Sequence, residues 1–210
     1  KFQNGWKYSY GLDAQYVKYD ADIFNTIKIE STDAAGNISP AQTLSSKSAI
    51  DFFKFGAYLQ AAKYFFKDKF LISGGFRSDM NTFTTEGLNP LKSVSPRISF
   101  SYAINDEWNL SASIGSYYKL PVHTMLGYKD STAALANKSL EYINAIHYTI
   151  GTQFIPRNDL RFTLEAFYKD YRNDPLSLTN GISFANIGTD YSAVGSDYYA
   201  STGKGTVYGI

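Results

Sequence analysis

The chain has 210 residues, enough for one domain with a sizeable core, and its formal net charge is +1. A charge this small creates no strong field towards nucleic acid or acidic lipid, so no nucleic-acid partner is predicted. Cysteine is absent, which excludes disulfides and thiolate metal sites. No unbroken apolar run reaches the roughly 18 residues that a membrane-spanning helix needs.

Aromatic residues make up 17% of the sequence, with 18 tyrosines and 15 phenylalanines. Most of them recur at every second position of segments whose other positions are small or polar, and this period of two predicts β-strands. Eight such segments follow one another along the chain: 8–16, 53–61, 70–79, 97–104, 108–118, 147–154, 160–169 and 203–210.

The clearest pair of predicted strands lies at residues 101–118, where two alternating runs meet at Asn105-Asp106-Glu107. One face carries bulky apolar groups such as Ile104, Trp108 and Ile114. The other face carries mainly serine, asparagine and glycine, whereas a strand exposed to bulk water usually carries lysine, glutamate or threonine there. The pattern therefore raises the question of which face is in contact with lipid.

The predicted connections alternate in length. Short polar turns are expected at 67–69, 105–107 and 156–159. Long segments rich in Gly, Ser, Thr, Asn, Asp and Pro are expected at about 25–49, 84–94, 120–140 and 172–202. This alternation is typical of outer-membrane barrels, in which the apolar face meets lipid and the polar face lines the interior. We predict an all-β fold: an antiparallel transmembrane β-barrel segment of about eight strands, with long extracellular loops and short periplasmic turns.

Tyrosine and tryptophan at the ends of the predicted strands suit the two interfacial girdles of a membrane protein. The predicted girdle residues are Trp6, Tyr19, Tyr64, Trp108, Tyr118 and Tyr171.

Four stretches resemble the barrel of TonB-dependent outer-membrane receptors, especially those of the Bacteroidetes type. They are KFLISGGFRSDMNTF (69–83), SVSPRISFSYAINDEWNLSASIGSYYKLP (93–121), LEYINAIHYTIGTQFIPRNDLRFTLEAFYKDYRNDP (140–175) and GKGTVYGI (203–210). The resemblance rests on the order of these stretches and on the loop lengths between them. The resemblance implies an outer-membrane location in a Gram-negative cell.

The same resemblance implies a larger barrel that encloses an N-terminal plug domain, and a partner in the inner membrane that transduces energy to the plug. The ligand would be a scarce nutrient such as a siderophore, cobalamin, a glycan or a peptide. In the glycan importers of this family a surface lipoprotein lid covers the loops, and such a lid is a further candidate partner. We expect residues 1–210 to be a partial barrel without the plug, cut from a longer protein.

Charged and imidazole side chains on the predicted polar face are the first group of candidate site residues. They are Arg77, Asp79, Arg97, His147, Arg161, Glu165 and Lys169. One interpretation is contact with the plug or with a passing ligand. The other is ion pairing between strands, which would hold the barrel in register.

Tyrosines at or beyond the extracellular strand ends are the second group, because aromatic faces stack on sugars and on apolar ligands. They are Tyr117, Tyr118, Tyr128, Tyr191, Tyr198 and Tyr199. The alternative for this group is a place in the interfacial girdle or in loop packing.

No chemistry is predicted for the chain itself. His123 and His147 have no partners at metal-ligand spacing, so neither a metal site nor a cofactor is expected. No nucleophile and base form a recognisable pair, so no catalytic residue is assigned. Two other functions stay open: a complete eight-stranded outer-membrane barrel acting as an anchor or adhesin, and a soluble β-sheet protein that binds carbohydrate.

Overall fold

The computed structural model describes residues 5–28, 30–32, 36–40, 42–186 and 197–210. Most of these residues lie in strands. The strands are β1 (Trp6–Lys28), β2 (Ser31–Thr32), β3 (Ile38–Ser39), β4 (Gln42–Phe65), β5 (Phe70–Asn81), β6 (Ser95–Ala103), β7 (Trp108–Lys119), β8 (Ile143–Arg157), β9 (Leu160–Ser177) and β10 (Tyr199–Gly209). The helical segments are the single turn α1 (His123–Leu126) and two 3-10 turns, Pro90–Ser93 and Phe184–Asn186. Within this part of the chain, no helix has the length and apolar character to cross a membrane.

Eight strands form one antiparallel sheet in the order β1-β4-β5-β6-β7-β8-β9-β10. The two shortest strands, β2 and β3, pair with each other within the chain segment that connects β1 to β4. Every long strand is thus hydrogen-bonded to the long strands before and after it in the chain. The predicted all-β, antiparallel fold with eight strands is confirmed.

The register sorts the side chains of the sheet into two faces. One row that crosses all eight strands consists of Tyr8, Ala61, Gly74, Ile98, Ile114, Tyr148, Tyr168 and Tyr208. The row beside it points the other way and consists of Ser9, Gln60, Gly75, Arg97, Gly115, His147, Lys169 and Val207. We call the first side of the sheet the apolar face and the second the polar face.

The apolar face exposes its large side chains. Leu12 is 87% exposed, Tyr10 80% and Ile150 64%. Exposed apolar groups on this scale mark a surface that another apolar phase covers. Aromatic contacts cross the strands on this face, among them the stacked rings of Trp108 and Phe154 at 4.4 Å between centroids.

Three tight turns connect strands at one end of the sheet. The turn before β5 places Phe66, Lys67 and Asp68 at positive φ. In the turn before β7, the Asn105 side chain accepts hydrogen bonds from the backbone N–H groups of Glu107 and Trp108 at 3.0 and 2.8 Å. The turn predicted at 156–159 is shorter than expected, because β8 continues to Arg157.

Two of the predicted long loops are wrong in extent. The segment 25–49 is not one loop, because β1 continues to Lys28 and β4 begins at Gln42. Ion pairs run along this extension, with Lys47 Nζ 2.9 Å from Asp22 Oδ2. The segment 172–202 is shorter as a loop, because β9 continues to Ser177 and β10 begins at Tyr199. The loops at 84–94 and 120–140 are confirmed within one or two residues.

The buried core lies at the loop end of the sheet, on its polar face. Ile50 and Phe52 of β4 have the same orientation as the polar-face residues further along the strand, yet they are buried beneath α1. Met125 and Leu126 of α1 are both 0% exposed. The rest of the cluster consists of Phe83, Leu120, Leu140, Tyr142 and Tyr199. The loops therefore fold inward over the ends of the strands.

Candidate functional site

The seven predicted polar-face residues all lie on the polar face. On its strand, each of them either belongs to the polar-face row described above or is separated from it by an even number of positions. The structure divides these seven residues into three groups. Arg77 and Asp79 form one cluster, and Arg97 and His147 form another. Lys169, Glu165 and Arg161 follow along β9 towards the tight-turn end.

The first cluster is an ion-pair network that joins β5 to β1. Arg77 Nη2 is 2.5 Å from Asp79 Oδ1 and 2.8 Å from Asp13 Oδ2, while Arg77 Nε donates to Asp79 at 2.9 Å. Gly56 lies between these side chains, and a Cβ there would run into both Arg77 and Asp13. One guanidinium thus meets two carboxylates, as the ion-pairing interpretation expects.

The second cluster is a stack of side chains centred on Tyr117. The Arg97 guanidinium carbon lies 4.3 Å from the centroid of the Tyr117 ring, and the ring of His147 lies 4.5 Å from it. His147 is also 6.4 Å from the ring of Tyr171. Because Tyr117 belongs to β7 and points to the polar face, it is not the loop residue that the sequence predicts.

A cleft of about 390 Å³ separates the two clusters. Its walls include Tyr58 and Arg77 on one side and Arg97 and Tyr117 on the other, and Gly75 lies between them. Both arginines therefore line one concavity on the polar face.

The charges on β9 lie apart from this cleft. Lys169 is paired in register with His147, and its Nζ lies 5.0 Å from the centroid of Phe167. Glu165 lies beside Ser111 and Thr149 in a separate depression. Arg161, one residue after the start of β9, is exposed near the tight turn at the end of the sheet.

The predicted loop tyrosines divide into three kinds. Tyr128 and Tyr198 form a T-shaped pair at 5.7 Å, on two different loops. Tyr118 belongs to β7 and packs against the buried cluster. Tyr199 is 5% exposed, so its ring is part of the core and unavailable to a ligand. Tyr191 lies outside the described residues.

The predicted girdle is wrong at three positions. Tyr19, Tyr64 and Tyr171 have polar-face parity in the register, so their side chains do not point to lipid. Proximity to a strand end does not determine which face a side chain occupies, because successive residues of a strand point to opposite faces. Trp6 and Trp108 do lie on the apolar face.

Several residues near the site were missed from the sequence. Asp13, Tyr58 and Tyr171 have polar-face parity on their strands, and that parity was an available signal. The packing of His123 against other rings has no signal in the sequence. Its ring lies 5.6 Å from Tyr19 and 5.8 Å from Phe52, and burial, followed by the charge of Lys54, lowers the pKa of His123.

Buried polar side chains connect the loops above the polar face. Asn137 donates to the carbonyls of Met125 and Asp197, both at 2.9 Å, and accepts from the Tyr199 N–H at 3.0 Å. Asn81 similarly donates to the Tyr142 hydroxyl oxygen at 3.2 Å. Burial raises the pKa of Tyr142, which keeps this hydroxyl protonated at neutral pH. Within the described residues, no group of three or more His, Asp or Glu side chains is arranged to hold a metal ion.

The family model for the β-barrel of TonB-dependent receptor-like proteins matches residues 1–210, the entire chain. The chain belongs to this family. Its members are transporters rather than enzymes, and they lie in the outer membrane of Gram-negative cells, which is therefore the location of this receptor barrel. The apolar face of the sheet is the face that meets outer-membrane lipid. The alternative of a soluble carbohydrate-binding sheet is not compatible with this family.

Solved structures show the same fold. The siderophore receptor PirA from Pseudomonas aeruginosa matches with a TM-score of 0.56 and 17% identity, over 80% of this chain and 30% of its own. The ferric enterobactin receptor PfeA from Pseudomonas aeruginosa, in complex with BCV-L6, matches with a TM-score of 0.60 and 18% identity, over 99% of this chain and 31% of its own. The copper transporter OprC matches with a TM-score of 0.61 and 15% identity, over 100% of this chain and 32% of its own.

The chain therefore spans about a third of the length of the solved receptors that it resembles. Comparison with curated protein sequences gives no match.

Proposed function

We propose that this chain is part of the wall of an outer-membrane receptor barrel that imports a scarce nutrient, such as a siderophore, cobalamin, a glycan or a peptide. The observation that carries the proposal is the family match over residues 1–210. The two faces of the sheet support it, because a barrel wall needs an apolar face towards lipid and a polar face towards a wet interior.

In this proposal the polar face surrounds a plug domain, and an energy-transducing partner in the inner membrane pulls on the plug. Arg97, His147 and Lys169 face the plug or the passing ligand. Arg77 serves mainly to hold β5 in place relative to β1 through its ion pair with Asp13, and Asp79 fixes the Arg77 side chain from within β5. Arg161 and Glu165 belong to the same interior surface, closer to the periplasmic turns.

The tyrosine pair Tyr128–Tyr198 is the proposed ligand contact among the loops. Its rings are held edge to face at 5.7 Å, and Tyr198 is 42% exposed. Burial, followed by the neighbouring Tyr198, Asp197 and Asp130, raises the pKa of Tyr128, so the hydroxyl remains a neutral hydrogen-bond donor. Tyr117 is a second contact, at the level of the strands. A surface lipoprotein lid above the loops remains a further partner in this proposal.

Energy-dependent uptake tests the proposal. Cells that lack the full-length receptor are supplied with ferric siderophores, cobalamin, oligosaccharides or peptides as the only source of one nutrient. We expect growth on one of these classes to require both the receptor and the inner-membrane partner. Normal growth on every class, or uptake that persists without the energy-transducing partner, would contradict it.

A complete eight-stranded barrel acting as an anchor is the second candidate, because the sheet has the eight strands that such a barrel needs, although β1 and β10 lie at its opposite edges and no pairing joins them among the described residues. The intact mass of the protein purified from outer membranes separates the two. A mass near 23.4 kDa would favour the small barrel. A mass several times larger, with peptides of a plug domain, would favour the receptor.

A further inference from the structure

Lys63 is a basic residue on the face of the sheet that meets lipid. In the register it lies opposite Trp6 of β1 and Ile72 of β5, two positions along β4 from Ala61 of the apolar-face row. It is close to the end of β4 and to the tight turn that begins at Phe66. Short turns form the periplasmic end of an outer-membrane barrel. Lys63 therefore lies at the depth of lipid headgroups rather than in the hydrocarbon.

Lys63 differs from other charged residues of apolar-face parity in having no acidic partner. At the loop end of the sheet, Lys47 pairs with Asp22 at 2.9 Å and Arg172 pairs with Asp170 at 2.8 Å. Among the residues that the structure describes, no carboxylate lies within ion-pair distance of the Lys63 ammonium. On a face that lipid covers, the nearest source of negative charge is a lipid phosphate.

Two aromatic rings hold the ammonium group of Lys63. Its Nζ lies 5.4 Å from the centroid of the Trp6 ring and 5.2 Å from that of the Phe65 ring, distances at which a cation is attracted to a ring face. Tryptophan on the lipid side of a strand end is itself favoured at the membrane surface. An ammonium has three N–H donors, so these contacts with ring faces leave donors free for an anion.

The surface next to Lys63, towards the centre of the membrane, carries small residues. The next pair along β4 and β5 consists of Ala61 and Gly74, and a Cβ at Gly74 would meet only one backbone oxygen, at 3.7 Å. The pair beyond it, Leu59 and Phe76, is 43% and 52% exposed. A hollow therefore separates Lys63 from these larger side chains, and it leaves room for an acyl chain whose headgroup lies at the ammonium.

We propose that Lys63, held by Trp6 and Phe65, binds the phosphate of an anionic phospholipid such as phosphatidylglycerol. An acyl chain of the same lipid lies over Ala61 and Gly74. Charge complementarity favours an anionic headgroup, because a choline or ethanolamine headgroup carries its own cation beside the phosphate. This site goes beyond nutrient import and does not depend on it, since it requires only that the apolar face meets outer-membrane lipid.

Lipid binding to the purified full-length receptor tests the proposal. Native mass spectrometry counts the molecules of phosphatidylglycerol or phosphatidylcholine bound to the receptor as each lipid is titrated into detergent micelles. Lys63→Gln removes the charge and keeps a polar side chain. Lys7→Gln is the matched control: Lys7 Nζ lies 5.4 Å from the centroid of the Tyr64 ring, in the same pair of strands but on the polar face.

We expect Lys63→Gln to weaken the tightest binding of phosphatidylglycerol about fivefold, the effect of one basic residue near an acidic lipid surface, and Lys7→Gln to leave it unchanged. Equal effects of the two variants, or no effect of either, would overturn the proposal. Equally tight binding of phosphatidylcholine to the unmodified receptor would also overturn it. Displacement of the lipid by an equal concentration of inorganic phosphate would do the same, by assigning the site to a free anion.

A substitution in the hollow tests the acyl chain without changing any charge. Gly74→Leu fills the space beside Lys63, so we expect weaker binding of phosphatidylglycerol. Ala112→Leu is the control, because Ala112 lies on the apolar face of β7, two strands away from β5. Circular dichroism confirms the β-structure of each variant before lipid is added. Binding that is unchanged by Gly74→Leu, or weakened equally by both substitutions, would contradict the proposed site.

Discussion

The two faces of the sheet bury their side chains in opposite ways. The apolar face leaves residues such as Leu12 and Leu164 exposed along the strands, and Leu164 is 61% exposed. The polar face contains the buried cluster around Met125 and Leu126, where loops fold over it. In a water-soluble sheet the apolar face would be the buried one. Here lipid covers the apolar face, and protein packing is needed only where the polar interior meets the loops.

The largest effect on this difference between the two faces is expected from a substitution in the core beneath α1. Leu126→Ala deletes a fully buried side chain, so we expect a loss of about 2–5 kcal/mol in the stability of the docked loop. Limited proteolysis of segment 127–137 in the full-length receptor measures this loss. Leu91→Ala is the control, because Leu91 is 80% exposed and its removal should cost less than about 0.5 kcal/mol. Equal cleavage of both variants would contradict the assigned core.

A charge on the apolar face tests the lipid contact. Ile150 lies on the apolar face of β8, between the aromatic residues Tyr148 and Phe154 of the same strand. Ile150→Lys should cost about 2–4 kcal/mol of folding free energy in lipid vesicles, as measured by denaturant titration. Ser111→Lys, on the polar face beside the depression that contains Glu165, should cost much less. A larger cost for the serine variant would reverse our assignment of the two faces.

The buried amide of Asn137 tests how the loops are joined. Asn137→Ala removes the amide that donates to the carbonyls of Met125 and Asp197 and accepts from the Tyr199 N–H, for an expected loss of about 1–3 kcal/mol. Hydrogen exchange at the Tyr199 amide provides the measurement. Asn137→Asp keeps the acceptor for that N–H but loses both donors, so this amide should stay better protected than in the alanine variant. Protection equal to that of the unmodified protein in both variants would show that the amide does not hold the loops.

The smallest expected effect is a pH dependence in the docking of the loop that contains α1. The pKa of His123 is lowered on docking, first by burial and then by Lys54, so the undocked loop takes up a proton more readily. Docking is therefore strongest above the unfolded value of about 6.5 and weakens as the pH falls through that value, until the docked histidine also becomes protonated.

Hydrogen exchange of the amides of residues 125–127 between pH 7.5 and 5.5 measures this weakening. His123→Phe keeps the ring contacts with Tyr19 and Phe52 but cannot titrate, so its loop should not respond to pH. A response of the same size in both proteins would assign the titration to another group.

The sequence allows some features to be predicted because a strand has a rigid period of two. Parity alone places Arg97, His147 and Lys169 on one face, and the register confirms this arrangement. The stacking of Arg97 on Tyr117 could not be predicted, because it depends on how far each turn shifts neighbouring strands and on the space left by Gly115.

The two incorrect loop boundaries have a physical cause. Residues 25–28 and 42–49 consist mainly of Asn, Thr, Lys, Gln and Ser, a composition typical of loops. Backbone hydrogen bonds nevertheless continue the β1–β4 pairing, and they do not depend on side-chain polarity. The core at α1 escaped prediction for the opposite reason: a single helical turn, His123–Leu126, is too short to show the period of a helix.

The order of the strands has a consequence for how the chain assembles. Because each long strand lies beside its neighbour in sequence, a newly formed hairpin can serve as the template for the next strand. Doubling the length of a flexible connection adds only about 0.6 kcal/mol of closure entropy, so the long connections slow this progression little. The sheet can therefore grow strand by strand from any hairpin, and the tight turns, which form within a few residues, are its natural starting points.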